Sequence, residues 1–148
     1  MQHRLQSAFA HDLGLLALRL MAGSVFLFHG AQKLFGAFGG PGLEGFAGYL
    51  ESLGVPAPGA SAFLAAAAEL VGGLALVTGL GQRLLALPLT VTMLVAAFTA
   101  HSGFAASAGG NEYPLTLAAV ALALGLTGPG RFALRAPGAA LPAPAVAR

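Results

Sequence analysis

Seven side chains able to do acid–base or hydrogen-bonding chemistry stand inside or at the edge of apolar stretches: Arg19, His29, Gln32, Lys33, Glu69, His101 and Glu112. Polar groups in apolar surroundings are costly, so each is a candidate site residue. Arg19, Phe26 and Lys33 recur every seven residues, and His29 sits one turn before Lys33. That spacing puts them on one helical face, which should look inward. Arg19 and Glu69 are expected to pair, either as a structural pin between two helices or as a proton-relay or ligand-anchoring couple. His29 and His101 belong to the side-chain type suited to proton exchange at physiological pH. They could cap and hydrogen-bond at an interface, or contact a quinone, haem or metal. Lys33 and Arg83 read as snorkelling anchors. No two ligands share the i, i+3 or i, i+4 spacing of a helical metal site, so no metal centre is expected. Nucleophile elbow, phosphate loop, zinc-protease motif and paired catalytic carboxylates are missing. Whether the chain is an enzyme is left open, since no catalytic motif is self-sufficient.

These residues must be positioned by helices in lipid. Of 148 residues, 57% are hydrophobic and 8% charged, and the mean hydropathy is +0.81. A soluble domain carries roughly 25% charged residues, so this chain could not cover its surface with polar groups. Seven Lys/Arg against five Asp/Glu give +2 with no basic run, which argues against nucleic-acid binding. Zero cysteines exclude dithiol redox, thiolate metal sites and disulfides. His3 and Arg4 could begin a signal peptide, but the apolar stretch that follows is too long and no small-x-small cleavage site closes it.

Apolar stretches run from about Leu13 to Phe35, Ala60 to Leu80, Leu84 to His101 and Tyr113 to Thr127. A span needs roughly 20 apolar residues, and backbone in lipid must satisfy its own hydrogen bonds. The expected fold class is all-α: a four-transmembrane-helix bundle over residues 13–134, flanked by a cytoplasmic N-terminus (1–12) and a disordered Ala/Pro-rich cytoplasmic tail (135–148). Gly128-Pro129-Gly130 stops the last helix. Between the first two spans, Gly36 to Gly42 breaks the chain. Leu43, Phe46, Ala47, Leu50 and Leu53 then recur at helical spacing with Glu44, Glu51 and Ser52 opposite, predicting a short interfacial helix in the first outer loop. Arg4, Arg83, Arg131, Arg135 and Arg148 fall on one side, which should be cytoplasmic, so the topology is N-in and C-in.

At 1.5 Å per residue, Arg19 lies roughly 9 Å above the cytoplasmic end and Glu69 roughly 13 Å below the outer end, a gap an extended arginine could cross. The helix directions bring His29, Lys33, His101 and Glu112 to the outer boundary. A ligand pocket is therefore expected in the outer half, lined by His29, Gln32, Lys33, Glu69, His101 and Glu112. It would suit a quinone head group, whose carbonyls need donors and whose reduction needs protons. It would equally suit a water cluster.

The sequence resembles the DoxX family of small bacterial membrane proteins. The resemblance rests on Leu18-Arg19-Leu20, Phe28-His29-Gly30-Ala31-Gln32-Lys33-Leu34-Phe35-Gly36 and Gly39-Gly40-Pro41-Gly42-Leu43-Glu44-Gly45. It continues through Ala68-Glu69-Leu70-Val71-Gly72-Gly73, Gly81-Gln82-Arg83-Leu84, Asn111-Glu112-Tyr113 and Gly128-Pro129-Gly130-Arg131. It implies a bacterial inner-membrane location and a link to quinone-coupled or redox-stress complexes. The lack of cysteine leaves a quinone or an organic ligand as the better redox partner. Two functions follow: a small subunit of a quinone-linked oxidoreductase system, or a non-catalytic anchor or small-molecule or ion carrier. Expected partners are the lipid bilayer, a soluble or membrane oxidoreductase subunit, and further copies of the chain as a homo-oligomer.

Overall fold

A computed structural model describes residues 2–134, with side chains from residue 6 onward. The Ala/Pro-rich tail, with Arg135 and Arg148, and the side chain of Arg4 lie outside the described residues. Five helices follow in order: α1 (Gln2–Phe35), α2 (Gly42–Ser52), α3 (Pro58–Thr78), α4 (Gln82–Thr99) and α5 (Glu112–Thr127). No strand occurs among the described residues. Short 3-10 turns at Ala37–Gly39 and Ala106–Ala108 sit in the two longer connections.

The helices α1, α3 and α4 are each long and apolar enough to cross a membrane. The fourth apolar helix, α5, has 16 residues, or about 24 Å of rise. The first helix begins well before Leu13, where hydropathy marks the apolar stretch, and its 34 residues span about 51 Å. Hydropathy registers where apolar residues begin, whereas backbone hydrogen bonding continues through the polar turns that precede them. The expected amphipathic segment is α2, with Phe46 buried and Glu44, Glu51 and Ser52 exposed.

Glycines set how closely the helices approach. A Cβ on Gly30 would lie 2.6 Å from the Leu70 nitrogen, and one on Gly73 would lie 2.8 Å from the Leu27 nitrogen. Only a residue without Cβ lets the α1 and α3 backbones meet this way. The contacts also fix an antiparallel register, with Gly30 level with Glu69–Leu70 and Gly23 level with Gly73–Val77. On the other flank Gly125 of α5 takes Ala86 of α4, and Gly72 of α3 takes the Leu89 side chain of α4. The α1–α3 and α4–α5 pairs are joined where α3 packs on α4 and where α1 meets α5, and α2 lies across α1 and α3.

The four long helices enclose Leu15, Ala22, Phe26, Leu76, Leu89, Met93, Leu117, Ala118, Ala121 and Leu124. Outside, Met21, Leu64, Leu84, Leu87, Phe98 and Leu126 are each more than 60% exposed. A belt of such side chains all around the bundle is what a protein solvated by lipid shows, and far exceeds the apolar patches of soluble monomers.

Candidate functional site

Glu69 stands in the middle of α3, one turn N-terminal to Gly73, which draws α1 against it. Its side chain is 1% exposed, and Lys33 Nζ donates to its Oε1 at 2.5 Å. Lys33 lies three residues beyond Gly30, the residue level with Glu69. Its long side chain therefore turns back along α1, toward the interior. The Phe46 ring of α2 covers the ammonium at 5.0 Å from the ring centroid, adding cation–π attraction. Only Oε1 of the carboxylate is used. Oε2 is buried with no hydrogen-bond partner among the described residues.

Lys33 is therefore the partner of the buried acid, and neither a snorkelling anchor nor a neighbour of an Arg19–Glu69 pair. Arg19 is fully buried elsewhere. Its Nε donates to the Leu76 carbonyl at 2.8 Å, Nη2 to Val77 at 2.9 Å and Nη1 to Pro129 at 2.7 Å. A helix ends with four carbonyls that lack intrahelical partners. In α3 all four are met: Ala75 by the Gly79 N–H, Leu76 and Val77 by Arg19, and Thr78 by the Leu134 N–H. Gly79 makes this closure at φ +83°, where a Cβ would sit 2.9 Å from Arg19 Nη2. The expected pairing failed because depths counted separately from each helix end ignored the register set by the glycines. That register places Arg19 against the C-terminus of α3, and Glu69 lies seven residues, or about 10 Å, away from Leu76.

A cavity of about 570 Å³ opens beside the Lys33–Glu69 pair. Lys33 and Glu69 line one end of it together with Ala65, Ala68 and Pro88. Phe46, Tyr49 and Leu50 of α2 form one wall, Val91, Thr92, Val95 and Ala96 of α4 the other, and Ser61, Thr99 and His101 stand where α3 begins and α4 ends. The wall residues Leu64 and Val91 are 67% and 51% exposed, so the cavity has an open flank. The pair thus occupies one end of a largely apolar slot that an aromatic head group or an acyl-like chain can enter from the side.

Of the six residues expected around one pocket, the structure brings Lys33, Glu69 and His101 to this cavity. His101 Nδ1 lies 3.2 Å from the Gly109 carbonyl, which can only accept, so Nδ1 is the donor. His29 faces α5, with its ring 6.5 Å from that of Tyr113 and edge-on to Phe28. Gln32 packs beneath the Gly36–Gly40 turn, where a Cβ on Gly40 would meet Gln32 Cβ at 2.5 Å. Glu112 accepts the Ala106 N–H at 2.6 Å, and its own N–H donates to the Phe104 carbonyl. It closes the connection between α4 and α5. The cavity wall formed by Phe46 and Leu50 was visible as the apolar face of α2, but that face alone does not say what it covers. Buried Gln82, which donates to the Leu124 carbonyl at 2.7 Å, is the first residue of α4, where composition gives no hint of burial. No group of three His, Asp or Glu residues able to hold a metal occurs among the described residues.

The chain is similar to two curated sequences over most of their lengths. The Bacillus subtilis (strain 168) protein named "Putative oxidoreductase CatD" is 31% identical over 117 residues, 79% of this chain and 81% of that one. The Escherichia coli (strain K12) "Inner membrane protein YqjF" is 32% identical over 125 residues, 83% of this chain and 90% of that one. No solved structure matches. The DoxX family profile matches residues 14–102, a segment that holds Arg19, Lys33, Glu69 and the whole lateral cavity. This membrane protein belongs to the DoxX family.

Proposed function

We propose that the chain is a small inner-membrane component of a quinone-linked oxidoreductase system, and that the cavity beside Lys33 and Glu69 receives the quinone head group. The observation that carries this reading is the Glu69 carboxylate. It is buried, paired through one oxygen only, and belongs to a residue that lines an apolar slot. Buried polar atoms are nearly always satisfied, and an orphan beside a cavity points to a ligand. A quinone supplies two-electron, two-proton carrier chemistry when bound. The protein's own residues bind and orient: Lys33 offers donors, Glu69 an acceptor, Phe46 and Tyr49 aromatic surface, and the walls of α3 and α4 exclude water. The name of the Bacillus relative fits an oxidoreductase role. In this reading α5 is a fourth, short span, both termini are cytoplasmic, and the cavity lies in the outer half of the bundle.

The test is equilibrium binding of a decyl-tailed benzoquinone to purified protein in lipid nanodiscs. Wild type should bind, Glu69→Ala should bind at least about tenfold more weakly, and His29→Ala, which stands outside the cavity wall, should match wild type. Equal binding by all three, or none by wild type, would replace this reading with that of an anchor or carrier.

A further inference from the structure

Resting on that reading of the cavity, we infer that Thr92 is a second ligand contact, its hydroxyl donating to an oxygen of the head group from the α4 wall. The observation is what Thr92 does not do. A hydroxyl on a membrane-spanning helix finds little water, and its usual partner is the carbonyl four residues back in its own helix. Thr78, Thr90, Thr99, Thr116 and Thr127 all donate to that carbonyl, at 2.7–2.8 Å. Thr92, in the middle of α4, makes no side-chain hydrogen bond among the described residues. Nor is its hydroxyl sealed in. The buried side-chain atoms that lack a partner belong to Glu69 and Gln82, whereas Thr92 is half-buried and lines the cavity. A donor without an intrahelical partner therefore stands open on an apolar wall, where hydrocarbon offers it nothing.

Its level in the bundle places it at the right end of the slot. Gly72 of α3 meets the Leu89 side chain of α4, and the short connection from Thr78 to Gln82 makes these two helices antiparallel. Glu69 lies three residues before Gly72, and Thr92 three residues after Leu89. In antiparallel helices both steps run the same way, about 4.5 Å each. Thr92 is therefore level with Glu69, at the end of the cavity that Lys33 also lines. Lys33 reaches that end from α1 and Thr92 from α4. Both can donate, and a ring with acceptor oxygens on two edges, as a quinone has, can use both at once. The other serine and threonine hydroxyls of the cavity are already engaged: Ser61 donates to the Pro56 carbonyl and Thr99 to that of Val95, each at 2.8 Å.

The experiment titrates a decyl-tailed benzoquinone into the full chain in nanodiscs, as wild type, Thr92→Val, Thr92→Ser and Thr116→Val, and records the melting temperature of each without ligand. Thr92→Val keeps the shape of the side chain and removes its hydroxyl, so it should bind about tenfold more weakly. Thr92→Ser should restore most of the affinity. Thr116→Val loses a hydroxyl that is bonded within its own helix and lies outside the cavity wall, and should match wild type. Because the Thr92 hydroxyl has no partner in the free protein, Thr92→Val should melt no lower than wild type. That readout separates a ligand contact from a structural one. Wild-type affinity in Thr92→Val overturns the inference while leaving the quinone site standing. So does a melting temperature that falls together with the affinity, or an equal loss of binding in Thr92→Ser or in Thr116→Val. No binding by wild type overturns both the inference and the reading it rests on.

Discussion

Two cations and one acid govern the polar interior, and they do different work. Lys33 neutralises Glu69, while Arg19 holds the end of α3 to α1 and to the segment after α5. Stripping the charge from Lys33 leaves a buried carboxylate uncompensated, so Lys33→Met should destabilise by about 3–5 kcal/mol. Thermal unfolding in detergent checks this, with the exposed Glu51→Ala as an unchanged reference. Lys33→Met with Glu69→Leu should recover much of the loss, because replacing both members of a buried pair by apolar groups is close to neutral. Arg19→Lys should also destabilise, by roughly 2–4 kcal/mol, since an ammonium cannot span three carbonyls as the planar guanidinium does. If Arg19 and Glu69 were partners, Arg19→Lys and Lys33→Met would couple strongly. About 10 Å of axial separation predicts losses that add within about 0.5 kcal/mol. A double-mutant cycle reads this directly.

At the scale of helices, the site depends on how closely α1 meets α3. Glycines 23, 30 and 73 carry that approach, and the register they impose brings Lys33 and Glu69 together. Gly30→Val would drive a side chain into the Leu70 backbone and part the two helices. It should cost more stability than Gly48→Ala, whose Cβ meets nothing within 4 Å. It should also abolish binding of the decyl-tailed benzoquinone while leaving the helical circular dichroism signal in place. Retained binding would show that the register tolerates separation of the helices. Residues on these elements were legible from periodicity: the face shared by Arg19, Phe26 and Lys33 does look inward, and α2 is the amphipathic helix its pattern describes. Periodicity reports which face of one helix is apolar. It says nothing about which level of a second helix that face meets, so it could not separate Lys33 from Arg19 as the partner of Glu69.

For the whole molecule, the proposed topology makes the outer connections external and both ends cytoplasmic. A reporter fused after Arg135 should score as cytoplasmic, and one inserted between Gly39 and Gly42 as external. A cytoplasmic signal from the loop, or an external one from the C-terminus, would reverse the orientation or remove α5 as a span. Composition and periodicity by themselves determined that the chain is all-helical and solvated by lipid, where its helices lie, and which few side chains are too polar for that setting. These are local properties, set by transfer free energies and the 3.6-residue repeat. Only the tertiary structure decided that Arg19 closes the end of α3, that Glu112 and Gln32 serve the connections, and that Lys33, Glu69 and His101 share one cavity. Glu112 and Gln32 close turns near them in the chain, whereas the places of Arg19, Lys33 and Glu69 turn on the axial register of α1 against α3, set by Gly23, Gly30 and Gly73, whose partners lie roughly forty or more residues away.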